Sequence, residues 1–133
     1  MSKEKIYIFD TTLRDGAQTQ GVDFNVQDKI KIAEILSNIG VDYIEGGWPG
    51  ANPVDTEFFS KKLKLNQSIF TAFGMTKKNG RSADNDPALA PLTKATCPAV
   101  CIVGKTWDFH VRTALGIKNE ENFPNLLKVV KKL

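Results

Sequence analysis

Four times in succession this chain sets a short apolar run before a stretch with helical spacing, and this alternation constrains its fold more than any other feature. Lys5–Phe9 is apolar and β-prone, and reads as a buried first strand. Val41–Glu45, ended by Gly46-Gly47, reads as the second. Ser68–Phe73, closed by Gly74, is the third, and Val100–Val103 the fourth. Between the first two, Asn25 is placed as an N-cap with Asp28 in the first turn. Val26, Ile30, Ala33, Leu36 and Ile39 then recur at helical spacing up to Gly40. Pro53–Leu65 reads as a second helix, with proline in its first turn. Lys77–Asp86 is a polar loop, and Pro87–Ala95 a third helix that Pro91 shortens or kinks. After the fourth strand, Val111–Leu115 continues as a helical turn. A last helix, capped by Asn119 with Glu120 and Glu121 at its positive end and Pro124 in an early turn, runs to Leu133.

Strands alternating with helices imply right-handed βαβ units and a parallel sheet. The expected fold class is therefore α/β, four βα units that make half of an eightfold TIM barrel. A closed barrel takes about 250 residues and at least roughly 200. With 133 residues the chain is expected to be a single partial barrel domain over 1–133. Such an open half exposes strand edges and inner-face side chains, so a homo-oligomer is expected.

The charge balance excludes some functions. Net charge is +3, and the lysines are dispersed apart from the pairs Lys61-Lys62, Lys77-Lys78 and Lys131-Lys132. There is no basic stripe interleaved with aromatics, so a nucleic-acid partner is not expected. Cys97 and Cys101 match no zinc or redox spacing and read as small buried residues in a reducing cytosol. The polar start is unlike a signal peptide, and no segment approaches the roughly 20 apolar residues that span a bilayer. A cytoplasmic location is the expectation.

Chemistry concentrates after strand ends. Arg14-Asp15, Glu45-Gly-Gly-Trp48, Gly74-Met-Thr76 and Gly104-Lys-Thr106 each follow a strand, and in parallel α/β folds the ligand lies at that rim. Asp15 can ligate a divalent metal. Arg14 can hold a carboxylate or stabilise an enolate oxygen. A turn aspartate and a structural ion pair are the plainer alternatives. Gln18 is suited to bonding a metal-bound water or aligning Arg14. Glu45 shares parity with Val41 and Tyr43, which leaves open whether it faces inward to orient Arg14 or lies at the surface. Trp48 either walls the pocket or packs against the next helix. Thr76, on the third rim loop, is a candidate substrate contact. The Gly104-Lys105 pair lacks the upstream glycine of a phosphate loop, since Ala99 stands there.

Asp10-Thr-Thr-Leu-Arg-Asp-Gly-Ala-Gln18 resembles the signature of the Claisen-condensing acyltransferases, the 2-isopropylmalate, homocitrate and citramalate synthases. Tyr43-Ile-Glu-Gly-Gly-Trp-Pro-Gly50, Thr71-Ala-Phe-Gly74 and the stretch from Ile102 to Val111 are similar to the citramalate branch. The resemblance implies condensation of acetyl-CoA with pyruvate to give citramalate. It also implies a divalent metal (Mg, Mn or Zn) on Asp15, a keto acid on Arg14, and supporting catalytic roles for Gln18 and Glu45. His110 is not implied as a ligand, because the family's metal histidines lie on a later His-x-His stretch. Since that stretch and the base are not among these residues, the resemblance implies an amino-terminal portion that is inactive alone. A lyase of the same superfamily is the alternative within enzymes. A non-catalytic half-barrel that binds a metabolite is the alternative outside them.

Overall fold

The computed structural model describes residues 4–133. Four strands form one parallel sheet in sequential order: β1 (Phe9–Asp10), β2 (Tyr43–Gly47), β3 (Ile69–Met75) and β4 (Ala99–Val103). The helices are α1 (Val26–Asn38), α2 (Pro53–Ser60), α3 (Ala90–Lys94), the short α4 (Asp108–His110) and α5 (Asn119–Val130). α4 runs directly into a wider helical turn, Val111–Leu115. The expected four βα units in one parallel sheet are therefore present.

Strand parity divides the sheet into two faces. Ile44 pairs with Phe70, and Ala72 with Val100. These residues join Phe58, Ala33 and Leu92 in the apolar core between sheet and helices. The opposite parity carries Phe9, Tyr43, Glu45, Thr71, Phe73 and Cys101. Glu45 thus lies on the face turned away from the helix layer, which resolves what parity alone left open.

Several boundaries differ from expectation. The first apolar run is neither buried nor fully laddered. Only Phe9–Asp10 pairs as strand, and Ile6, Tyr7 and Ile8 are exposed. β1 is an edge with a single neighbour. The preceding residues are tethered through the Ile8 carbonyl, which accepts from the Asp42 and Tyr43 amides. β2 does not stop at Glu45; it continues to Gly47 through an irregularity in its pairing with β3. β3 continues through Gly74 to Met75, and a Cβ at Gly74 would lie 2.3 Å from Leu92 Cδ1. This glycine lets α3 press onto the strand.

α2 ends at Ser60 rather than Leu65. Leu63 and Leu65 still pack on the core, a period-two spacing that extended chain satisfies and helix does not. α3 spans only five residues, with Pro91 in its first turn. α5 begins at Asn119, preceded by Lys118 rather than capped by Asn119, and ends at Val130. The polar loop after β3 is not wholly solvated. Lys77 and Asp86 are buried, and Asp86 accepts from the Lys78 and Ala88 amides at 2.6 and 2.8 Å.

α1 begins as its sequence predicts. The Asn25 carboxamide oxygen accepts from the Gln27 and Asp28 amides, and Asp28 accepts in return from the Asn25 amide. Its expected stripe faces the core at Val26, Ile30, Ala33 and Leu36, while Ile39 is exposed. The most buried positions are Lys29, Ala33 and Ser37.

Candidate active site

The loop after β1 is built by its own hydrogen bonds. Both Asp10 carboxylate oxygens fold back onto Thr12, one accepting from its amide at 2.9 Å and one from its hydroxyl at 3.0 Å. The Thr11 carbonyl accepts from the amides of Arg14, Asp15 and Gly16. This knot explains why the run Asp10-Thr-Thr precedes the arginine: it turns the chain sharply and delivers Arg14 back over the sheet.

The Arg14 guanidinium is held on three sides. Its Nε donates to Glu45 Oε2 at 2.7 Å, and one terminal nitrogen donates to Asp15 Oδ1 at 2.9 Å. Its carbon sits 4.3 Å from the centre of the Phe73 ring. Glu45 is only 1% exposed, so its charge is compensated by this contact. Asp15 differs, with its side chain 64% exposed. Its carboxylate is open to further ligands.

A cleft of about 370 Å³ lies beside Arg14. Gln18 and Trp48 line it, Phe73 closes one side, and Lys29 and Asp55 lie at its base. The structure brings Arg14, Asp15, Gln18 and Glu45 into one region. Thr76 stands apart in a neighbouring cleft of about 380 Å³ with Met75, Lys77 and Leu115, and Trp48 borders both. The Trp48 ring packs edge-on against Phe73 at 5.7 Å. Its amide donates to Asp55 Oδ2 at 3.0 Å, which ties the loop after β2 to α2.

The Cys101 thiol lies against this pair. Desolvation pushes it up from its ordinary value of 9.0, the neighbouring Glu45 carboxylate adds to that, and Arg14 opposes it. Cys97 is pushed up by burial too, and both cysteines are free. His110 stacks on Trp107 at 4.6 Å in the loop after β4.

Sequence reading missed the pair beneath the cleft. Lys29 and Asp55 form a buried ion pair. Lys29 looks like a solvated lysine near the start of a helix, and Asp55 like an ordinary first-turn acid. The one usable signal is that Lys29, Ala33 and Ser37 recur four apart, a stripe of small residues headed by a lysine.

Asp15 suits a hard divalent cation as one exposed oxygen donor. Such an ion takes about six to eight oxygens. Among the described residues no three His, Cys, Asp or Glu side chains gather to share one. Asp15 is the donor these residues offer, and they do not gather a complete carboxylate, imidazole or thiolate ligand set of three or more.

A parallel β/α sheet with an arginine and an aspartate on its first rim loop, and a glutamate from the second strand beneath them, places the chain in the TIM-barrel class. The fold is similar to that of hydroxymethylglutaryl-CoA lyase from Pseudomonas aeruginosa, with a TM-score of 0.70 at 18% identity, over 96% of this chain and 42% of that one. A family profile described as HMGL-like matches residues 5–133. The chain belongs to this HMGL-like family. It is similar to a protein of Aquifex aeolicus named (R)-citramalate synthase, 49% identical over 132 residues. It is also similar to the Geobacter sulfurreducens protein of that name, 54% identical over 125 residues. These matches cover 98% and 92% of this chain but 25% and 23% of the relatives, so the chain spans about a quarter of their length. No described helix is long and apolar enough to cross a membrane.

Proposed function

We propose that this chain supplies the first half of the active site of a citramalate synthase, in which acetyl-CoA condenses with pyruvate. One observation carries the reading: the Arg14 fork is fixed by Glu45 and Asp15 beside an open cleft. A guanidinium held in this way presents its remaining N–H groups to a keto acid without reorganising at the moment of reaction.

In the proposed reaction the acetyl methyl carbon loses a proton and the enolate carbon attacks the keto carbon of pyruvate. The keto oxygen becomes an alkoxide and takes up a proton to give the hydroxyl. Water then cleaves the thioester, releasing CoA and leaving citramalate. Arg14 binds the keto acid and stabilises the developing negative charge. Glu45 orients Arg14, and Gln18 lines the same cleft. Trp48 and Phe73 exclude water from one wall. Thr76 contacts the substrate only where it extends past Trp48 into the second cleft. A divalent cation on Asp15, with donors from outside this chain, would supply Lewis acidity. The base that deprotonates the acetyl group also comes from outside these residues, so the isolated chain is proposed to be inactive.

The test is a graft. This chain replaces the matching 132 residues of the Aquifex aeolicus relative. The hybrid is then assayed for CoA release from acetyl-CoA and pyruvate. Turnover that vanishes with Arg14→Gln supports the reading. A folded hybrid that cleaves citramalyl-CoA-type thioesters but does not condense indicates a lyase. One that binds pyruvate without turnover indicates a binding module. Citramalate made by the isolated chain would refute its proposed inactivity.

A further inference from the structure

We propose that Lys29 is a positioning residue: its ammonium sets the Arg14–Glu45 pair by gripping the backbone next to each partner. Lys29 is 3% exposed, and its Nζ has three acceptors. They are the Leu13 carbonyl at 2.8 Å, the Gly46 carbonyl at 3.0 Å and the Asp55 carboxylate. Those three bonds use every proton an ammonium carries. Leu13 immediately precedes Arg14, and its carbonyl shares a peptide unit with the Arg14 amide. Gly46 immediately follows Glu45. One charged group on α1 thus fixes the first rim loop and the end of β2, the two segments that must align for Arg14 Nε to meet Glu45.

The opposing anchor is equally specific. Asp55 Oδ2 accepts from the Trp48 amide at 3.0 Å and from Asn52 Nδ2 at 3.1 Å. Gly47 has φ of +141°, and a Cβ there would lie 2.6 Å from the Asp55 carboxylate. Only glycine lets the strand end pass this close, so the irregularity at the end of β2 is shaped around the ion pair.

Stability alone does not call for this arrangement. Burying an ammonium and a carboxylate carries a desolvation penalty that well-packed apolar side chains of similar volume would avoid. What apolar side chains cannot do is hold two carbonyls from different segments at fixed positions.

The test reads the Arg14 side chain directly in this chain by 15N–1H NMR, which does not depend on turnover. Wild type is expected to show a slowly exchanging, shifted Arg14 Nε–H signal from its bond to Glu45. In Lys29→Met, and in Lys29→Met/Asp55→Asn, which leaves no unpaired buried charge, that signal is expected to be lost while the amide spectrum stays dispersed. Leu92→Ala, a core variant on α3, is the control. It is expected to lower the melting temperature and leave the Arg14 signal in place. A folded Lys29 variant with an unchanged Arg14 signal overturns the proposal. If both Lys29 variants are unfolded, the ammonium is a plain structural tie and the proposal also falls. The catalytic meaning of this positioning rests on the function proposed above, and pyruvate tests that separately. If the wild-type Arg14 signal ignores pyruvate but still depends on Lys29, the keto-acid assignment fails and the positioning stands.

Discussion

Arg14 and Glu45 stand 31 residues apart in the chain, yet Arg14 Nε lies 2.7 Å from Glu45 Oε2. The contact joins the loop after β1 to the inner face of β2. It gives the buried glutamate its only cationic partner among the described residues.

Glu45→Gln tests what the pair contributes. The amide keeps the shape and can still accept from Arg14, but the charge-assisted bond is lost. We expect a loss of about 1–3 kcal/mol in unfolding free energy, from a lower urea midpoint at unchanged slope. A variant as stable as wild type would show that the pair contributes nothing net.

Asp15→Asn separates a ligand role from a fold role. The carboxylate is largely exposed and bonds only Arg14, so its removal should change stability by less than about 0.5 kcal/mol. In the grafted hybrid the same change should lower metal-dependent turnover by 100-fold or more, an effect of about 2.7 kcal/mol. Equal turnover in the two hybrids would remove Asp15 from the proposed metal site.

Thiol chemistry should report the Glu45 environment. The folded Cys101 pKa is raised, so the folded state favours the neutral thiol. Its contribution to stability is then present below the unfolded value and lost as pH rises past 9.0 through the higher folded value. At pH 8, iodoacetamide should modify Cys101 more slowly than a free thiol. Glu45→Gln removes the neighbouring negative charge and should speed modification at the same pH. Fast, Glu45-independent labelling would contradict this assignment.

The open β1 edge should drive association. Ile6 is 85% exposed, and Tyr7, Ile8 and Phe9 are exposed beside it. Paired with unsatisfied strand backbone, such a run templates further pairing. We expect concentration-dependent self-association in sedimentation velocity, relieved by Ile8→Lys and Phe9→Lys together. A sharp monomer of the unaltered chain at high concentration, or association that persists unchanged with both lysines in place, would refute it.

The periodicity of the chain determined its four βα units and their parallel order, because right-handed crossovers and strand–helix alternation are properties of local segments. The Asn25–Asp28 cap was equally legible, since capping acts over three residues. Other features were settled only between distant segments. Which face Glu45 takes depended on where the helices packed. That α1 buries Lys29 beside its apolar stripe depended on Asp55 in α2 meeting it there. The end of β2 was extended past Glu45 by contacts from α2 that no local propensity records. Sequence specifies hydrogen bonds and apolar spacing within a few residues. A buried charge is decided by whether the fold brings it a partner, and that partner can lie anywhere along the chain.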